Sequence, residues 1–275
     1  MSTNYPELID THAHLYAEQF DEDRGAVVQR AYDNGVRHIF LPNIDHQSVE
    51  PMMALAATDP EHIHPMMGLH PCSVDANYLQ ELEWVKTWLD KVNFCAIGEI
   101  GVDLYWDKTY QKQQEDAFLQ QVRWAMDLDK PIVIHSRESI DLIIGLLQPL
   151  KAKNLRGIFH CFTGTVTQAK AIMDLGFLMG IGGVLTFKKA GMDQVIPHIP
   201  LDYLVLETDA PYLAPVPYRG KRNESSYTKI VAEKLADILG IDIEEVAKKT
   251  TANAKALFGL SDKNESSPVL ESPKK

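Results

Sequence analysis

Three shortages narrow what this chain can be. It carries only 3 cysteines, Cys72, Cys95 and Cys161, and no Cys-x-x-Cys pair. That excludes a disulfide framework and a thiolate zinc cluster. Cys95 and Cys161 sit within or beside apolar runs, where cysteine serves as a small buried hydrophobe, so a reducing cytoplasmic setting is expected. No apolar stretch approaches the ~20 residues that span a bilayer. The opening Met1-Ser2-Thr3-Asn4-Tyr5-Pro6-Glu7 lacks the basic and apolar regions of a signal peptide. Positive charge is also scarce, with 27 Lys and Arg against 38 Asp and Glu and a net charge of −11. Binding of nucleic acid by global attraction is therefore excluded, while a local basic surface is not. No membrane association and no obligate protein partner are expected.

What the chain does have is hydrophobic content. At 275 residues with 45% hydrophobic composition, it can bury a sizeable core as a single domain. That domain is placed at residues 1–260. Residues 261–275 show no apolar periodicity and are expected to form a disordered tail.

Short apolar runs end repeatedly in histidine or acid. Leu8-Ile9 leads to His12-Ala13-His14, Phe94-Cys95-Ala96-Ile97 to Glu99, and Ile132-Val133-Ile134 to His135. Gly157-Ile158-Phe159 leads to His160, and Tyr203-Leu204-Val205-Leu206 to Asp209. Runs of this kind read as buried parallel strands. The landmarks are 85, 36, 25 and 49 residues apart, multiples of the ~30-residue strand–helix repeat. They fall at the ends of strands 1, 4, 5, 6 and 8 of a regular array. Intervening strands are expected at 38–41, 63–68 and 177–181. Helices are expected at 22–34, after 48, through 79–89, and at 111–128, 140–147, 166–175, 227–239 and 243–258. Eight such units predict an α/β fold, the (β/α)8 TIM barrel.

Functional groups of such barrels gather at the C-terminal ends of the strands. His12 and His14, two apart on a strand, face one way and can address one ion. His12, His14, Glu99, His135, His160 and Asp209 are six candidate ligands, more than the three protein ligands of one catalytic zinc. They suffice for two divalent ions, Zn, Mg or Mn, sharing one carboxylate. Two such cations against two carboxylates leave an excess positive charge that attracts phosphate and acidifies water. A lone histidine at a strand end is ordinarily a structural hydrogen-bonding residue; the recurrence at one end of the array makes the metal site.

These residues lie within motifs that resemble a known set. Asp10-Thr11-His12-Ala13-His14, Gly68-Leu69-His70-Pro71, Gly98-Glu99-Ile100-Gly101-Val102-Asp103, His135-Ser136-Arg137, His160-Cys161-Phe162-Thr163-Gly164 and Glu207-Thr208-Asp209-Ala210-Pro211-Tyr212 follow the order of the TatD family. These are metal-dependent hydrolases of the amidohydrolase superfamily, many of them deoxyribonucleases. The resemblance spans about residues 8–260. It implies that His12, His14 and Asp209 hold a first ion, that Glu99 bridges, and that His135 and His160 hold a second. One departure is Ser225, where the family usually has proline after its Arg-Gly-Lys-Arg-Asn-Glu motif, here residues 219–224.

The substrate is read from the loops. Arg137 follows strand 5, Lys188 and Lys189 follow strand 7, and Arg219, Lys221 and Arg222 follow strand 8, all on the metal face. Arg137, Arg219 and Arg222 are expected to contact phosphate; Glu207 is grouped with them at the substrate and, two residues before Asp209 on the same strand, is also a candidate to support the ligands from behind. Tyr105, Trp106, Phe162, Phe187 and Tyr212 are candidates to stack on bases, with packing under a loop the alternative for each. His70 is expected to act as an acid or substrate contact, and Asp209 as the general base. His38, His46, His62, His64 and His198 receive no role. The leading reading is a two-metal deoxyribonuclease trimming 3′ ends of DNA, acting on a single-stranded end rather than a long duplex. The alternative is an amidohydrolase-type enzyme for a small amide, lactone or ester. It has the same metals, but no lysine stands at a strand end to bridge them. A non-catalytic metal scaffold is the third possibility.

Overall fold

Each apolar run becomes a parallel strand, and consecutive strands pair in sequence order. In the computed structural model, which describes residues 6–151 and 154–260, the strands are β1 Leu8–Asp10, β2 Val36–Leu41, β3 Ile63–Pro65, β4 Ile97–Asp103, β5 Ile132–Arg137, β6 Gly157–Phe159, β7 Leu178–Ile181 and β8 Leu204–Leu206. Between and after them run α1 Arg24–Asp33, α2 Val49–Ala56, α3 Tyr78–Leu89, α4 Gln111–Asp127, α5 Ile140–Leu147, α6 Val166–Asp174, α7 Met192–Val195, α8 Thr228–Leu239 and α9 Ile243–Phe258. The expected tail, 261–275, lies outside the described residues.

Pairing is continuous within β1-β2-β3 and within β4-β5-β6-β7-β8. The two seams, between β3 and β4 and between β8 and β1, lie outside these ladders. One parallel bridge, Met67 to Ile97, joins the segment just past β3 to β4, and another, Ala13 to Ala210, joins the segments just past β1 and β8. Thr11 N–H also donates to the Leu206 carbonyl at 3.0 Å. The ring is thus a closed TIM-type barrel, with the expected third strand ending earlier, at Pro65.

Alternation along the strands sorts side chains into two layers. Ile9, Phe40, Val133, Ile158 and Val205 fill the barrel interior with Met66 and Ala96, and Ala254 and Leu257 of α9 close it from one end. Their neighbours Leu8, Ile39, Leu41, Ile132, Ile134, Phe159, Leu204 and Leu206 face the helices. Burying each such side chain contributes roughly 1.5–3 kcal/mol. The same period carries His135 onto the face of Val133 and His160 onto that of Ile158.

In β4 the register against β5 slips between Ile97 and Ile100. Ile97, Ile100 and Val102 all join the helix-facing layer, and the intervening Glu99, Gly101 and Asp103 take the other face. Gly101 is required there: with φ at 154°, a Cβ would lie 2.0 Å from the His135 carbonyl oxygen. The helices follow local signals. α6, for example, opens with a capping box in which Thr165 Oγ1 accepts from Gln168 N–H and Gln168 Oε1 accepts from Thr165 N–H.

Candidate metal centre

Strand ends bring seven of the singled-out residues into one buried cluster: His12, His14, His70, Glu99, His135, His160 and Asp209. Glu99 is at its middle, 2% exposed. Its Oε2 faces His12 Nε2 at 3.1 Å and His14 Nε2 at 3.6 Å. Its Oε1 faces His135 Nδ1 at 2.8 Å and both His70 Nε2 and His160 Nε2 at 3.4 Å. Asp209 Oδ1 closes the first group, 3.8 Å from His12 and 3.7 Å from His14. His12-His14-Asp209, His12-Glu99-His160 and His70-Glu99-His135 each offer a set of atoms close enough to share one ion.

The outer nitrogens of these rings fix their tautomers. Tyr16 donates its hydroxyl to the Pro42 carbonyl at 2.6 Å, so it accepts from His14 Nδ1–H at 2.8 Å. His160 Nδ1–H donates to Glu207 Oε1 at 3.0 Å, and His135 Nε2–H to Asp103 Oδ2 at 2.8 Å. Each ring therefore turns a lone pair toward Glu99. This is the arrangement by which carboxylate- or carbonyl-anchored histidines present a ligand atom to a metal. His12 Nε2 and His14 Nε2 face each other at 3.3 Å, an approach that two lone pairs tolerate only with a proton or a cation between them. The donor set fits divalent cations on these grounds alone.

His70 differs. Its Nδ1 accepts the Cys72 N–H at 3.0 Å, which leaves the proton on Nε2. That nitrogen points into the cluster as a hydrogen-bond donor rather than a lone pair.

Electrostatics report the same demand for positive charge. Burial opposes protonation of His12, but Glu99 and then Asp209 override it and push its pKa up to about 9. For His135, burial is likewise outweighed, by Asp103 and Glu99, and the pKa rises to about 9. His14 is held well below its usual range by burial and by its neighbour His12. Burial would raise Glu99, yet His70, His12 and His160 keep it well below the ordinary carboxylate range. Burial lifts Asp209 to about 6. Without cations, protons collect on rings that flank carboxylates.

Several expectations change in place or partner. β5 runs two residues past His135 and takes in Arg137, which was expected to follow the strand. Glu207 cannot touch a substrate: it is fully buried, with Oε1 accepting from His160 Nδ1–H and, at 2.6 Å, from Cys161 N–H. A side chain at Gly180 would collide with it at 2.0 Å, so that glycine makes room for this carboxylate. Arg222 also turns away from the centre. Its two terminal nitrogens each donate to Asp23 at 2.8 Å, one also donates to the Gln19 carbonyl, and its guanidinium covers Phe20. Its neighbour Glu224 accepts from Arg30 at 2.7 Å. Between them, Asn223 Nδ2 donates at 2.7 Å to the Thr208 and Tyr212 carbonyls, bracing both sides of Asp209. Loop β8 is therefore anchored to α1, and the two charged residues serve that anchor. Ser225 is buried, and Thr228 Oγ1 donates to its carbonyl at 2.8 Å, so the loop keeps an ordered path without the proline. Phe162 is 3% exposed and packs in the core.

Arg137 and Arg219 remain at the surface. Arg137 lies 3.7 Å over the Tyr105 ring, and Arg219 lies 4.5 Å over Phe187. Lys188 and Lys189 are exposed. A cleft of about 610 Å³ runs from His135, His160 and Asp209 past Arg137, Asp141, Gln168, Val184 and Leu213.

Asp103 is the functional residue the sequence reading passed over, although it stands in the quoted motif two places after Gly101 and four after Glu99. That period-two spacing on one strand is the signal that marks it. Replacing Asp103 with asparagine should lower metal affinity or turnover by about 10–100-fold, the usual cost of losing a ligand's outer carboxylate. Metal titration and steady-state kinetics measure it, and a wild-type metal affinity and rate would remove the orienting role.

A family model for TatD-related DNases matches residues 9–259. The chain belongs to the TatD family. A relative from Bacillus subtilis strain 168, described as the uncharacterized metal-dependent hydrolase YabD, is 38% identical over 254 residues, covering 92% of this chain and 99% of the relative. The 3′-5′ ssDNA/RNA exonuclease TatD of Pantoea ananatis is 30% identical over 259 residues, covering 92% and 100%. Among solved structures, the TatD homologue YjjV of Escherichia coli K12 superposes with a TM-score of 0.84 at 28% identity, covering 92% of this chain and 98% of that one. An uncharacterized amidohydrolase of Saccharomyces cerevisiae shares the fold, with a TM-score of 0.79 at 16% identity. The chain is a metal-dependent hydrolase of TatD type. No helix among its described residues is long and apolar enough to cross a membrane.

Proposed function

We propose that this hydrolase cleaves phosphodiester bonds at single-stranded 3′ ends of DNA, using two divalent cations. The observation that carries the reading is the division of Glu99: one oxygen addresses His12 and His14, the other His135 and His160. Asp209 completes the first set. When bound, two cations would polarise the scissile phosphate and lower the pKa of water. Asp209, on the rim of that cluster and lining the cleft, takes the proton from the attacking water. His70 presents Nε2–H, suited to donate to a phosphate oxygen or the leaving group. Asp103 and Glu207 keep His135 and His160 in their tautomers. Arg137 supplies an exposed forked donor at the cleft for a flanking phosphate. The exonuclease name borne by the Pantoea relative supports the polarity and the single-stranded substrate.

Hydrolysis of a short single-stranded oligonucleotide across a salt series tests the substrate class against a small amide, lactone or ester. Arg137→Ala should raise KM roughly tenfold or more. It should also flatten the log–log salt dependence of binding by about 0.7, one phosphate contact on a single strand. Arg222→Ala, whose partner is Asp23, should keep the wild-type slope. Equal slopes for wild type and Arg137→Ala, with turnover confined to small neutral substrates, would transfer the site to amidohydrolase chemistry.

A further inference from the structure

Asp103 connects the metal centre to an exposed aromatic pair. While its Oδ2 holds His135, its Oδ1 accepts the backbone N–H groups of Tyr105 at 2.9 Å and Trp106 at 3.1 Å. One carboxylate thus sets a candidate ligand and the turn that displays both rings. The Leu104 N–H donates to the Arg137 carbonyl at 2.9 Å, fixing this turn against the end of β5. Tyr105 is 48% and Trp106 70% exposed. The two rings meet edge to face, 4.9 Å between centroids at 87°. The Arg137 guanidinium covers Tyr105 at 3.7 Å and approaches Trp106 at 5.2 Å.

An indole left this open in water forgoes a large burial gain, and it does so beside a cation and one side chain away from the metal ligands. Of the other loop aromatics, Phe162 is in the core, Phe187 lies beneath Arg219, and Tyr212, 50% exposed, sets its ring edge to face with His14 at 6.3 Å. Tyr105 is occupied by Arg137. Trp106 alone of this turn offers an uncommitted ring beside a phosphate-seeking group.

Resting on the nuclease reading above, we propose that Trp106 is the stacking platform for the nucleobase adjacent to the scissile phosphate, with Tyr105 holding Arg137 toward that phosphate. A base inside a duplex is already stacked and paired, so the platform accepts only an unpaired one. Stacking uses the face that every base has, so it selects strandedness without selecting sequence. Trp106 is a specificity-determining residue in this scheme, and Tyr105 a positioning residue that acts through Arg137.

The test compares a single-stranded DNA oligonucleotide with one whose 3′-terminal residues are abasic, keeping the phosphates and removing the bases. Wild type should prefer the base-bearing strand by about fivefold to a hundredfold in kcat/KM. The preference should collapse in Trp106→Ala and survive in Trp106→Phe. Binding is read separately, in chelator and without turnover, from the quenching of 2-aminopurine at the 3′ end. Trp106→Ala should abolish that quenching. Equal preference in wild type and Trp106→Ala, or unchanged quenching, overturns the platform. Quenching by wild type that is lost in Trp106→Ala, with no cleavage of either strand in any divalent metal, would instead uphold the platform and defeat the nuclease assignment.

Discussion

Replacing Glu99 with glutamine should lower hydrolysis by about 10³-fold or more and leave the chain unable to hold two ions. The magnitude follows from several kcal/mol of charge stabilisation by bound cations, at 1.36 kcal/mol per factor of ten. Glutamine has the same shape but half the capacity, since only one of its two head atoms accepts and the −1 charge is gone. Both sides of the cluster depend on that charge: Oε2 serves His12 and His14, and Oε1 serves His70, His135 and His160. Metal content by elemental analysis, together with kcat/KM, measures the effect, and circular dichroism checks the fold. Two ions per chain and a rate within tenfold of wild type would end the bridging assignment.

The second large effect belongs to Asp209→Asn, expected to reduce kcat by roughly 10²–10⁴ with little change in KM, the range for losing a general base. Asparagine is the right probe because Asp209 adopts φ of 58°, a left-handed conformation that asparagine shares with aspartate more readily than other residues do. The backbone is also retained by the bond from Asp209 N–H to the His12 carbonyl at 2.8 Å. Turnover of the variant should recover as pH rises and hydroxide replaces the missing base. A normal kcat with full metal content would assign the proton transfer elsewhere.

The barrel was legible because its strands are buried on both sides and announce themselves as unbroken apolar runs. Val133 and its neighbours Ile132 and Ile134 illustrate this: one faces the interior, two face helices, and all three are apolar. The histidines and acids were equally legible, since a polar residue ending such a run stands out. The seams were not. Whether β3 ends at Pro65 or reaches residue 68 depends on how it meets β4, and nothing local to the run records that.

The misassignments share a cause. Sequence shows which loop or strand the charges of Arg222 and Glu207 occupy, not which partner claims them. Arg222 is claimed by Asp23, 199 residues away, and Glu207 by His160, 47 residues away. Asp103 was overlooked for the opposite reason. It lies past the slip in β4, where counting from Ile97 gives the wrong face and counting forward from Glu99 gives the right one.

The brace around Asp209 ties the position of its carboxylate to the first helix, through Arg30, and to Asp23 at that helix's start. Arg30 and Glu224 stand 194 residues apart and meet through two-pronged contact, with Arg222 and Asp23 beside them. Asn223 carries that anchorage to the peptides on either side of the acid. Arg30 in α1 and Asp23 just before it are thereby coupled to the far end of the domain, since removing either frees one charged residue of the loop after β8. Residues that look like surface charge on the first helix are, in this fold, part of the alignment of the last strand.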